Sequence, residues 1–218
     1  GPEGNNIEFG LADNQSWLPE RFDQSYENMG RVNSYVTSSR GWAHVSAGPL
    51  SQYKSFLGEG GVRVPAIFSY PGRIESNRKM QSLMSIMDIA PTLMAFSEVA
   101  SNPNFEMQGQ SATAQLTGLD NTNAIRPHLA METYGNKAVW SDNFKLLWNW
   151  ESDDWQLFDI QQDPGETNDL SGTSTALRDS LVNTFNDYAQ TNGVVILEEE
   201  VGYARYPDQV EAFNTISP

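Results

Sequence analysis

"HLAMETYGNKAVWSDNFKLLWNWESDDWQLFDI" runs from His128 to Ile160. Its reading decides the fold of the second half of the chain. Four short runs, "HLAMETY", "KAVWS", "FKLLWNW" and "WQLFDI", are separated by "GN", "DN" and "ESDD". The runs are aromatic and aliphatic, as half-buried strands are, and Gly135-Asn136 and Asp142-Asn143 suit tight hairpins. The pattern predicts an antiparallel meander. "DPGE", Asp163 to Glu166, predicts a further turn. A helix is expected from about Thr175 to Gln190, because Leu177, Leu181, Phe185 and Tyr188 recur at helical spacing, and Gly193 would end it. Trp148, Trp150 and Trp155 flank one hairpin; they read as cross-strand packing or as a stacking surface for a sugar or aryl group.

The first half has a different texture. Residues 1–52 are rich in Gly, Asn and Pro and read mainly as loop, with a short helix expected around Tyr26, Met29 and Val32. "VRVPAIFSY" over 62–70 predicts a strand, with Pro65 favouring a sheet edge or a strand start. "PGR", Pro71 to Arg73, is a turn. "MDIAPTLMAF" predicts a helix capped by Asp88, with Pro91 tolerated in its first turn. A polar stretch from Val99 to Arg126 reads as a connection. The expected organisation is an α/β layer over residues 1–125 and a small antiparallel sheet with a helix packed on it over residues 126–218.

A chain of 218 residues with 39% hydrophobic and 11% aromatic residues is able to form a core. The net charge of −15, from 28 acidic and 13 basic residues, argues against nucleic acid and anionic membranes as partners. Without cysteine there is neither a disulfide nor a cysteine metal site. No apolar run approaches the roughly 20 residues of a membrane-spanning helix.

Chemistry concentrates in "YKSFLGEGGVRVPA", Tyr53 to Ala66. Lys54 is a mobile point donor suited to an anionic oxygen, and the glycines at 58, 60 and 61 allow close backbone approach or unusual dihedrals beside it. The same pattern also fits a solvated lysine ahead of a strand. Glu59 and Arg63 read as pairing either with each other or across to other elements, with Arg63 the more buried of the two. His44 and His128 stand in no metal-ligand spacing, although His44 lies in the loop preceding Lys54. Asp153-Asp154 and Glu198 to Glu200 read as solvated charge. Asn14-Gln15-Ser16 matches a glycosylation acceptor pattern.

Several stretches together resemble the C-terminal portion of a bacterial arylsulfatase-type sulfatase of the alkaline phosphatase superfamily. They are "GPEG" at 1–4, "YENMGRVNSYV" at 26–36, "GWAHVSAGP" at 41–49 and "YKSFLGEGGVRVPA" at 53–66. "MDIAPTLM" at 87–94, "NKAVWSDNFKLLW" at 136–148 and "WQLFDIQQDPGETNDL" at 155–170 follow in order. The resemblance implies a partial alkaline-phosphatase-like α/β layer followed by the small sheet, and sulfuric ester hydrolysis by the full-length protein. It assigns Lys54 to a sulfate oxygen. It leaves Glu59, Gly60, Gly61 and His44 as supporting neighbours.

The resemblance further implies a formylglycine nucleophile made from a C/S-x-P-x-R motif, and this chain contains no such motif. It implies calcium held by ligands upstream of Gly1, so no catalytic nucleophile and no metal ligand is expected on this chain. The chain alone is expected to be inactive and to need the missing N-terminal part of the same protein, with a periplasmic or secreted location favoured. The alternatives are a non-catalytic binding module and a phosphonate or phosphodiester hydrolase of the same superfamily.

Overall fold

A computed structural model describes residues 22–23, 25–34, 40–100, 102, 104, 106–120, 125–149 and 153–196. The expectations for residues 1–20, the Asn14 pattern, Trp150 and Glu198 to Glu200 fall outside them. The described residues within Gly1–Arg63, Ala130–Val139 and Phe144–Pro218 form one compact unit. Those within Val64–Leu129 and Trp140–Asn143 form a second.

The meander is present as a four-stranded sheet in the order β1-β2-β3-β4: β1 Leu129–Thr133, β2 Asn136–Ser141, β3 Phe144–Asn149 and β4 Asp154–Asp159. The second turn falls on Asp142-Asn143 as expected, whereas the first falls one residue early, on Tyr134-Gly135, with Asn136 already in β2. Tyr134 and Gly135 both take positive φ, at 50° and 84°, which is the twist that a two-residue hairpin needs. Asp142 does likewise at 50° in the next hairpin. Strands β3 and β4 pair antiparallel with Lys145 opposite Phe158, Leu146 opposite Leu157 and Trp148 opposite Trp155.

Alternation along the strands creates two buried faces. Val139, Leu146 and Leu157 point to one side, where Leu181, Phe185 and Ala189 of the long helix close the core. That helix spans Thr175–Asn192 and ends at Gly193, whose φ of 64° is the left-handed stop the sequence suggests. Trp155 packs on this core with its ring 5.6 Å from Phe185. Trp148 instead lies under the ammonium of Lys137, 4.1 Å from the ring centroid. The half-buried position lowers the Lys137 pKa, because burial disfavours the charged form more than Glu132 and Asp153 favour it. The opposite side of the sheet buries Ala138, Lys145, Leu147 and Phe158.

In chain order the helices are α1 Arg40–Ala47, α2 Glu59–Val62, α3 Ile89–Phe96, α4 Thr113–Thr117 and α5, the Thr175–Asn192 helix already described. The expected loop over residues 1–52 holds the helix α1, which carries His44. Three further expectations are corrected. Around Tyr26 only a 3-10 turn forms, Tyr26–Asn28, and Tyr26, Met29 and Val32 are all exposed, so no apolar face stabilises a longer helix. Residues 63–70 contain no strand: Arg63 is extended, but no partner strand supplies ladder bonds among the described residues, and Val64 and Ile67 are exposed.

The third correction concerns Asp88, which does not cap α3 with its side chain. A 3-10 turn Ile86–Asp88 leads into α3, and Ser85 begins it with a reciprocal capping box: Ser85 Oγ accepts from Met87 N while Ser85 N donates to Asp88 Oδ2 at 2.7 Å. The Asp88 carboxylate is fully buried and also accepts from Gln110 N at 2.8 Å and from Arg126. The predicted connection is therefore tied down. Ala112 N donates to Thr92 Oγ1 at 2.9 Å, and α4 continues the link to α3. A Cβ on Gly109 would sit 1.9 Å from the Met87 carbonyl oxygen, so only glycine permits this approach.

Candidate functional site: the Lys54 loop

Residues 51–58 join α1 to α2 and carry Lys54 at an exposed position between buried neighbours. Tyr53, Phe56 and Leu57 are all buried. The Tyr53 ring meets Phe56 edge-on at 5.1 Å and His44 of α1 edge-on at 4.8 Å. Burying both flanks of an exposed lysine leaves it projecting from a packed base. Gln52 and Ser55, on either side of Tyr53-Lys54, hold φ at 59° and 83°. Left-handed conformations at non-glycine residues cost about 1–3 kcal/mol each and persist only where the surroundings dictate them.

The surroundings do dictate them. Gly60 N donates to Ser51 O at 2.7 Å, and Gly58 N donates to Gln52 Oε1 at 2.8 Å. A Cβ on Gly60 would lie 2.3 Å from Gln52 O, and one on Gly61 would lie 2.2 Å from Phe56 O. Of the two roles open to these glycines in the sequence, close backbone approach is the one the structure uses at Gly60 and Gly61. The first turn of α2 sits directly on the carbonyls of the loop that presents Lys54.

Beneath this turn lies a buried charge cluster that the sequence did not assemble. Lys145 of β3 points away from α5, and its Nζ is 3.1 Å from Glu59 Oε1 and 2.7 Å from Glu166 Oε1. All three side chains are almost wholly buried. The Glu166 contact is an ion pair outside ideal hydrogen-bond alignment, whereas Glu59 accepts a proper bond. Glu166 Oε2 accepts from Glu59 N at 2.8 Å and from Ser51 Oγ. Arg63 stands 3.7 Å from Glu59 Oε2 with about half its side chain exposed. The expected Glu59–Arg63 pair forms, but Glu59 is the buried member, not Arg63. Among the described residues two carboxylates face two cations here, and buried charge is tolerated where it is paired.

Of the residues singled out in the sequence, His44, Lys54, Glu59, Gly60 and Gly61 all fall in this region. His128 belongs to the other unit and is exposed. Asp153 and Asp154 are exposed at the β3–β4 turn. Lys145 and Glu166 went unnoticed. A lysine inside the otherwise apolar run "FKLLW" is the signal that pointed to a buried partner. Among the described residues no group of three or more His, Cys, Asp or Glu side chains could hold a metal ion, so these residues do not fit a metal centre. No helix among them is long and apolar enough to cross a membrane. A cavity of about 240 Å³ in the second unit is lined by Phe68, Tyr70, Ile74, Leu93 and Phe96 and presents no charged side chain.

Comparison with known proteins places the geometry in a family. The family model described as N-sulphoglucosamine sulphohydrolase, C-terminal, matches residues 52–190, a span that begins beside Lys54 and takes in the sheet, Glu166 and nearly all of α5. An uncharacterised sulfatase of Schizosaccharomyces pombe is 28% identical over 190 residues, covering 82% of this chain and 34% of its own length. The arylsulfatase of Klebsiella aerogenes is 34% identical over 102 residues, covering 44% of this chain and 22% of its own length. The crystal structure of Ps i-CgsB superposes with a TM-score of 0.58 at 25% identity, covering 65% of this chain and 32% of that one. The chain thus spans about a third or less of the length of these relatives. It belongs to the N-sulphoglucosamine sulphohydrolase C-terminal family and is a C-terminal sulfatase portion.

Proposed function

We propose that the full-length protein hydrolyses sulfate esters of the arylsulfatase type and that Lys54 holds a sulfate oxygen in its reaction centre. The observation that carries this reading is the presentation of Lys54: an exposed residue on a loop that has two left-handed residues and is held by packing and buried charge. Membership of a sulfatase C-terminal family supports sulfate esters as the substrate class.

A sulfate ester is a monoanion, and in the transition state charge spreads over its non-bridging oxygens. A fixed cation beside one of those oxygens stabilises that charge without reorganising at the moment of reaction. The loop is built for this. Its buried aromatic base and glycine contacts hold the backbone that carries the lysine. In this reading the nucleophile, and the ligands of the calcium ion expected for such a centre, are not among these 218 residues. The chain alone is therefore inactive in this reading.

The test is Lys54→Ala in the full-length protein. Turnover of an aryl sulfate should fall by about 10²–10³, the scale for losing one preorganised donor. An unchanged rate would remove Lys54 from the mechanism. Activity on phosphodiesters or phosphonates but not on aryl sulfates would reassign the enzyme within the superfamily. Binding of sulfated glycans without turnover would favour the non-catalytic module.

A further inference from the structure

One carboxylate oxygen joins the two ends of the Lys54 loop. Glu166 Oε2 accepts from Ser51 Oγ at the start of the loop and from Glu59 N, 2.8 Å away, at the first residue of α2 just past its end. The other oxygen, Oε1, faces Lys145 Nζ at 2.7 Å. Glu166 itself holds φ at 54° in the Asp163–Glu166 turn, which is closed by Glu166 N donating to Asp163 O at 3.1 Å. A Cβ on Gly165 would come 3.1 Å from Pro49 O, so this turn lies against the chain just ahead of the loop.

We infer that Glu166 is a positioning residue for Lys54, with Lys145 as the counter-charge of its buried carboxylate. This inference rests on the reading of Lys54 as the sulfate contact. Three features exceed what simple stability of the turn requires. The carboxylate bonds to both ends of one short loop rather than to its own turn. Both bonds flank the single exposed lysine of that loop. The loop contains two left-handed non-glycine residues, a conformation it would leave if either end were released. Loosening the clamp therefore moves the Lys54 ammonium relative to a sulfate held by the rest of the centre. A shift of order 1 Å is enough to cost about 10²-fold in rate.

The experiment is a double-mutant cycle in the full-length protein between Lys54→Ala and Glu166→Gln, read as kcat and KM for 4-nitrophenyl sulfate. Glu166→Gln alone should lower kcat roughly 10- to 100-fold. In the Lys54→Ala background it should lower kcat no further, because a positioning residue has nothing left to position. An equal fold-loss in both backgrounds, or no loss in the parent, overturns the inference while leaving Lys54 in the mechanism. A Lys54→Ala protein with the parent rate overturns the functional reading instead, so the two failures are distinct. If Glu166→Gln does not fold, the same cycle with Ser51→Ala decides. A kcat loss confined to the Lys54-containing background supports the clamp, and no loss or an equal loss overturns it.

Discussion

The Lys145 ammonium lies 2.7 Å from the Glu166 carboxylate, and neither side chain is open to water. The pair joins the central strand β3 to the turn that follows β4, and Glu59 adds the first turn of α2 to the same point. Three segments far apart in sequence thus converge on one buried ammonium. A fully buried ion pair is weak evidence for stability in itself, but removing one partner leaves a charge with nothing to offset it. Lys145→Met should therefore cost about 3–5 kcal/mol. The midpoint of guanidinium unfolding is the check, and a loss under about 1 kcal/mol, the scale of an exposed pair, would mean the cluster is hydrated in solution.

The glycines of α2 supply a second outcome. Gly60→Ala places a methyl group 2.3 Å from Gln52 O and 2.6 Å from Ser51 O, both backbone atoms that cannot swing aside. The loop must shift outward. Overpacking of this kind costs about 1–3 kcal/mol. In the full-length protein the rate on an aryl sulfate should fall as well, because the displaced segment is the one bearing Lys54. Gly172→Ala, where a Cβ meets nothing within 4 Å, is the control and should leave the rate unchanged.

Acid sensitivity has an identifiable contributor near the surface. The Asp163 carboxyl is held below its ordinary value of 3.8, chiefly by the Asn168 backbone N–H, which burial opposes and the Thr167 hydroxyl and N–H reinforce. The folded state then binds its proton less readily than the unfolded chain does. Asp163 contributes stability above about pH 4, and that contribution is lost as the pH falls through the folded value. A carboxyl-carbon NMR titration should give a midpoint below 3.8. A midpoint at or above it would mean the Thr167 and Asn168 bonds are not kept in solution.

The sheet and the long helix were legible in the sequence because their signals are local. Gly135 and Asp142 mark turns, and Leu181 and Phe185 repeat with the helical period. The strand expected over 62–70 was not found because a strand is defined by partners, and an apolar run such as "VRVPAIFSY" states a preference without naming one. The lysine loop was recognised through the order of its residues, yet its clamp was invisible. Nothing near Lys145 or Glu166 in sequence reveals that one carboxylate will reach Ser51 and Glu59. The same gap reversed the burial of Glu59 and Arg63. Propensity could pair them, but only the arrival of Lys145 from β3 decides which one is enclosed.

The most direct measurement is a crystal structure of the full-length protein with inorganic sulfate in its reaction centre. Lys54 Nζ should lie about 2.7–2.9 Å from a sulfate oxygen, the length of a charge-assisted hydrogen bond. The loop from Ser51 to Glu59 should keep the conformation seen here. A sulfate bound in the centre with the Lys54 ammonium beyond about 6 Å, past the reach of hydrogen bonding or close charge pairing, would contradict the account.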